Sequence, residues 1–216
     1  MPLKVNEREY RNFTLSVVDN EPEQEETRTV NGYASTFMEP YTLYEDSEIV
    51  IREQVAPDAF AESDMSDVIM QYDHEGRVFA RVSNGTLQVR TDEHGLAITA
   101  DLGGTEIGRQ LYEEIKGGYT TKMSYGYTVP DGGESWEQAT LEDGRTVHTR
   151  TVNRVRKVYD VSAVSLPAND GTAISVRNLS EGVIEKVKAE RLKALETERR
   201  RLEVKLRLIT GGNNNG

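Results

Sequence analysis

A serine set between aromatic residues, a histidine upstream of it and an aspartate downstream are the residues of this 216-residue chain best suited to covalent chemistry. Ser124 lies in Met123-Ser124-Tyr125-Gly126-Tyr127, His74 in Tyr72-Asp73-His74-Glu75, and Asp160 in Tyr159-Asp160-Val161-Ser162-Ala163-Val164-Ser165. A serine hydroxyl is a poor nucleophile near neutral pH until a base within hydrogen-bond reach takes its proton. A carboxylate behind that base holds the ring tautomer and stabilises the imidazolium formed during attack. Together the three types would make a hydrolase that works through an acyl-enzyme. Residue type alone also allows Ser124 to be a small side chain packed in a crowded strand.

The chain has three histidines. His94 falls in the turn sequence Asp92-Glu93-His94-Gly95 and is assigned a neutral role. His148 lies on a strand-like run after Ser124. Asp73 and Glu75 flank His74 and favour its charged form, so a base at His74 requires both carboxylates to point away from the ring. Donors for a developing oxyanion could come from the backbone near Ser124, from Pro167-Ala168-Asn169 or from Arg154-Val155-Arg156, and the sequence does not choose among them.

Composition narrows the alternatives. There is no cysteine, which removes disulfides, thiol catalysis and cysteine-held metals. The histidines lack metal-ligand spacing and no phosphate-binding Gly-x-x-x-x-Gly-Lys-Ser/Thr loop occurs, so no metal or nucleotide cofactor is expected. A formal net charge of -11 disfavours non-specific nucleic-acid binding, which depends on cations neutralising phosphates. No apolar run approaches the length of a membrane span and no leader peptide is recognisable, so a soluble protein without a membrane partner is expected. The charge is uneven. Glu21 to Glu26 is acidic, whereas Lys186 to Arg207 carries a basic excess that suits docking to a partner or to another copy, or a solvated helix face.

The elements that must position these residues read mostly as strands. Residues 13–18 and 28–37 form a plausible antiparallel pair, and Val68-Ile69-Met70-Gln71-Tyr72 delivers His74 at a strand end. Asn84-Gly85 predicts a tight hairpin turn between residues 78–82 and 86–90, followed by a third strand near 96–100. Thr105 to Lys116 is a helix, with Thr105 as N-cap, Ile107, Leu111 and Ile115 on one face and Gly117-Gly118 as the stop. Residues 146–152 and 158–166 supply the last strands, Pro167 ending the ladder. From Leu179 the sequence turns to Glu, Lys, Arg, Leu and Ala, an appended helix whose heptad repeat is short and imperfect. Many short strands with few helices imply an antiparallel barrel or sandwich.

The Met-Ser-Tyr-Gly-Tyr segment, the Tyr-Asp-His-Glu segment with Arg77 to Val82 and Gly95 to Leu102 after it, and Tyr159 to Asn169 resemble, in order and spacing, the signature segments of the tailed-phage prohead (procapsid) maturation serine proteases. That family is distantly related to the herpesvirus assemblin proteases. The resemblance covers roughly residues 10 to 178. Ala80, where members often carry glycine, and Asp170, where a second proline often stands, depart from the pattern and bear on loop geometry.

The resemblance implies an α+β fold: a mostly antiparallel closed β-barrel flanked by short helices, with the C-terminal helical appendage. The expected division is a catalytic domain over 1–178, a docking helix over 179–210 and a flexible end over 211–216. It further implies a serine endopeptidase with Ser124 as nucleophile, His74 as base and Asp160 (or His148) as third member, needing no cofactor. Such an enzyme is enclosed in the immature capsid in the host cytoplasm, where it cleaves scaffold protein or the scaffolding segment of the major capsid protein, and itself. Self-association is compatible with the tail. The rival is a catalytically inactive capsid assembly or scaffolding protein on the same fold.

Overall fold

In strand β9 (Lys122–Thr128), Met123, Tyr125 and Tyr127 are buried in the main core while Ser124, Gly126 and Thr128 occupy the opposite face. Strict alternation with both faces covered makes this a central strand, and the other strands are ordered around it. A computed structural model of the chain describes residues 9–17, 28–165 and 180–211. The acidic Glu21 to Glu26, the Pro167-Ala168-Asn169 segment, the boundary near residue 178 and residues after 211 lie outside them.

The described chain runs β1 (Glu9–Val17), β2 (Thr29–Thr36), β3 (Tyr41–Glu45), β4 (Ile49–Val55), β5 (Ile69–Tyr72), β6 (Glu75–Arg81), β7 (Leu87–Thr91), β8 (Gly95–Asp101) and α1 (Glu106–Lys116). After β9 come β10 (Glu134–Thr140), β11 (Thr146–Val152), β12 (Lys157–Val164) and α2 (Ser180–Gly211). One eight-stranded sheet has the order β6-β5-β12-β9-β1-β2-β8-β7, and a second, four-stranded sheet has the order β10-β11-β4-β3. Strand β1 is the hinge of the large sheet. Its residues Glu9 to Thr14 pair with β9 and Leu15 to Val17 with β2, so the sheet can equally be taken as two that share β1.

The expected closed barrel is not formed. Closure needs β6 and β7 to pair, and among the described residues they do not: β6 pairs with β5 and β7 with β8. The reason lies at Asn84-Gly85, where the predicted hairpin turn is instead a corner. Residues Val82–Asn84 make one turn of 3-10 helix, ended by Gly85 in the left-handed region at φ 78°. The Arg81 N–H, which could have joined a closing ladder, donates to Thr86 Oγ1 at 2.9 Å, and Asn84 Oδ1 accepts from Thr86 N at 3.1 Å. The α+β class holds. So do the β1–β2 pair and α1, whose Thr105 Oγ1 accepts from Gly108 N at 3.0 Å and whose chain is turned out by Gly118 at φ 74°.

The four-stranded sheet has its own small core of Ile49, Ile51 and Val187, flanked by Leu43, Tyr44 and Trp136. Val187 belongs to α2, so that helix meets this sheet there. Lys188 Nζ donates to Tyr44 Oη at 2.8 Å and Arg191 pairs with Glu48 at 2.9 Å. Among the described residues no helix is long and apolar enough to cross a membrane.

Candidate active site

Strand β12 lies between β9 and β5, and its register places the site. Ser162 is the direct partner of Ser124, and Asp160 of Gly126. Direct partners in an antiparallel pair have Cβ atoms about 4.5–5.5 Å apart, so the two serines are side by side on one face. Asp160 joins them because of a bulge. Val158 pairs with Tyr127 and Asp160 with Gly126, leaving Tyr159 as the extra residue. Without it Asp160 would share the face of Val158 and enter the apolar core; with it, Val158 stays in the core and the carboxylate emerges on the serine side.

His74 reaches the same place through a turn. Tyr72 pairs with Glu75, leaving Asp73 and His74 as a two-residue hairpin loop with φ 48° and 61°. Two positive φ values mark a type I′ turn, whose second position favours glycine. A histidine there costs of order 1–2 kcal/mol, and the surroundings hold it in place. Asp73 N donates to Ala163 O at 2.9 Å, while the Asp73 carboxylate accepts from Ser165 N at 2.9 Å and Ser165 Oγ at 2.8 Å. The hairpin is therefore clamped to the end of β12, and Asp73 is turned to Ser165. Glu75 is exposed.

The clamp aims the imidazole at β12. His74 Nδ1 lies 2.5 Å from Asp160 Oδ1, which also accepts a hydrogen bond from Ser162 Oγ at 2.9 Å. Asp160 is 1% exposed and Ser124 is 1% exposed. Among the described residues Ser124 Oγ has no hydrogen-bond partner. A buried hydroxyl without a partner is unusual and costs about 1–3 kcal/mol. Ser63 and Thr128 share this state among the described residues, but only Ser124 stands opposite Ser162 in the strand pair that carries the His74–Asp160 contact.

His148 lies elsewhere. It pairs with Ile51 and Gln138 in the four-stranded sheet, and burial, its largest influence, lowers its pKa, opposed by Glu190 and assisted by Arg191 of α2. His94 sits in its turn with its ring edge-on to Tyr33 at 4.4 Å. Of the proposed oxyanion donors, the N–H groups of Arg154, Val155 and Arg156 are engaged with Gly133, Ala59 and Thr128 carbonyls at 3.0, 2.7 and 2.7 Å. Ser162 was not singled out by sequence reasoning. Its signal is the Asp-x-Ser spacing on a strand, which puts hydroxyl and carboxylate on one face.

The family model for caudovirus prohead serine proteases matches residues 14–189, well over half of the chain. The chain belongs to that family. No curated protein and no solved structure gives a significant match. The family match takes in the strands that carry Ser124 and Asp160, the hairpin that carries His74 and the first turns of α2. It makes the chain a serine protease of phage capsid maturation by descent, and the face bearing these three residues is where a nucleophile and a base can be sought.

A groove of about 600 Å³ lies beside the His74 hairpin, lined by Tyr72, Asp73, Arg77 and Phe79 and, from α1, Ile107 and Glu114. Its lining mixes apolar side chains with charges of both signs. Among the described residues no cluster of three or more His, Asp or Glu groups could hold a metal.

Proposed function

We propose that the protein is a serine endopeptidase in which Ser124 attacks the substrate carbonyl, His74 moves the proton and Asp160 holds His74. The observation that carries this reading is the His74 Nδ1–Asp160 Oδ1 contact of 2.5 Å beside a buried Ser124 hydroxyl that has no partner among the described residues. With Nδ1–H donated to Asp160, Nε2 is the nitrogen that takes the Ser124 proton as the Oγ–C bond forms. His74 then gives that proton to the departing amine as the C–N bond breaks, leaving an acyl-enzyme. Water repeats the sequence in reverse and frees Ser124. The imidazolium formed in each half-reaction meets the Asp160 carboxylate, and Ser162 fixes that carboxylate by its second bond. Asp160 takes the third place rather than His148, which stands in the other sheet against α2.

The substrate in this reading is scaffold protein or the scaffolding segment of the major capsid protein, cut inside the immature capsid in the host cytoplasm, and the chain also cuts itself. The test is co-expression with capsid and scaffold protein. The wild-type chain should process them and Ser124→Ala should lower the rate roughly 10⁵–10⁶-fold while remaining folded. Undiminished processing by a folded Ser124→Ala chain would remove Ser124 from the mechanism. A folded wild-type chain that cleaves neither protein would favour the inactive assembly protein.

A further inference from the structure

Strand β6 begins immediately after His74 and stands at the end of the large sheet, paired among the described residues with β5 alone. Its far end is closed, because Thr86 takes the Arg81 N–H and the chain turns the corner there. The end next to His74 is different. Between the pairs Met70–Ala80 and Tyr72–Glu75, the four residues Gly76 to Phe79 stand against the single residue Gln71, so β5 cannot use all of their backbone N–H and C=O groups. Space is open beside them as well: a Cβ added at Gly76 would meet nothing within 4 Å. A sheet edge of this kind is a template for a further strand.

The groove of about 600 Å³ lies along the same stretch. Glu75, Arg77 and Phe79, alternate residues of β6, line it, whereas Val78 between them does not and is 39% exposed. A chain added to this edge turns every second side chain to that face, and so into the space between β6 and α1. There Tyr72, Phe79, Ile107 and Leu111 offer apolar surface. The charges beside them are Arg77 against Glu75 and Glu114, so a charged side chain of either sign meets a like charge and an apolar one meets none. We propose that the extended substrate chain binds as an added strand on β6, with one apolar side chain near the scissile bond held in this groove. The proposal rests on the assignment of Ser124 and His74 above. Tyr72 and Asp73 before His74 and Glu75 after it all line the groove, so a chain seated there passes the hairpin that carries the proton-transfer group.

The test is digestion of a random library of short peptides by the full chain, with the cut sites read by mass spectrometry. Wild type should favour Leu, Met or Phe at one fixed position near the cut. Gln110 lines the groove from α1 and is exposed, so Gln110→Trp narrows the groove without entering the core. That variant should move the preference to Gly, Ala and Ser and raise KM for the best wild-type peptide roughly 10–100-fold, with a smaller change in kcat. Ile107→Ala should move the preference the other way, to Phe and Trp. No preference at any position, a preference for a charged residue there, or one profile shared by wild type and both variants overturns the proposal and leaves Ser124 and His74 in place. A folded wild-type chain that cuts no peptide overturns the catalytic assignment instead, and the substrate site falls with it.

Discussion

Asp160 and Glu53 are both carboxylates buried from water, at 1% and 0% exposure, but they are met by different partners. Glu53, on β4, is answered by a permanent cation: Arg150 Nη1 donates to it at 2.6 Å, Tyr127 Oη donates to it at 3.1 Å and Tyr41 Oη adds a further bond. Arg150 in turn donates through Nε to Glu134 at 2.7 Å. Asp160 is answered by an imidazole and a hydroxyl. Both pay desolvation; only the first is matched in charge at all times. In the proposed mechanism His74 meets the Asp160 carboxylate with a matching charge when it takes the proton of the nucleophile. On the proposed mechanism the first network stays as it is and the second is completed during the reaction.

Changing the carboxylates tests that contrast most strongly. Asp160→Asn keeps the shape but presents an N–H to His74 Nδ1 and so enforces the wrong tautomer, and cleavage should fall about 10⁴-fold with little change in melting temperature. Glu53→Gln should do the opposite. It leaves Arg150 short of a buried counter-charge and should cost about 3–5 kcal/mol in denaturant titrations, while the surviving folded fraction keeps its specific activity. If Glu53→Gln proved harmless to stability, or Asp160→Asn harmless to rate, the two networks would not differ in kind.

A smaller effect sits in the hairpin. His74→Gly and His74→Ala both remove the imidazole and its bond to Asp160, but alanine keeps the strain of φ 61° and glycine does not. The glycine variant should be the more stable of the two by about 1 kcal/mol, and both should be inactive. Equal stabilities would mean that the turn relaxes without the ring.

The smallest effect separates the two histidines. Burial holds the pKa of His148 below its usual value, so the folded protein binds fewer protons there than the unfolded chain. That contribution is complete above about pH 6.5 and is lost as pH falls from there toward the lowered folded value. His148→Gln should flatten this part of the stability–pH curve and leave cleavage within a few-fold of wild type. A loss comparable to that of His74→Ala would return His148 to the mechanism.

The parts of the molecule legible in the sequence are those whose reasons are local. Thr105, Leu111, Ile115 and Gly118 mark α1 within one stretch, and the apolar run ending at Tyr72 shows where a strand stops short of His74. The four-stranded sheet was not legible as such. Ile49–Val55 buries Glu53, and a strand with a buried charge reads as exposed until Arg150, nearly a hundred residues on, is seen to meet it. Barrel closure failed for a related reason, because Asn84-Gly85 fits a hairpin and a corner equally well and the choice falls to Thr86, which captures the Arg81 N–H. At the site, the type I′ turn was hidden by a histidine where glycine is the usual signal. The bulge at Tyr159, which decides the face of Asp160, has no signature in the residues around it.

Catalysis at this site requires His74 to make the Ser124 hydroxyl nucleophilic. Its most direct measurement is reaction of the intact chain with a fluorophosphonate, a reagent that phosphonylates activated serines, followed by peptide mass spectrometry. One adduct on the peptide containing Ser124 is predicted in the wild-type chain, and none in folded His74→Ala or Asp160→Asn. An adduct on a different serine, or labelling of Ser124 that survives the loss of His74, would contradict it.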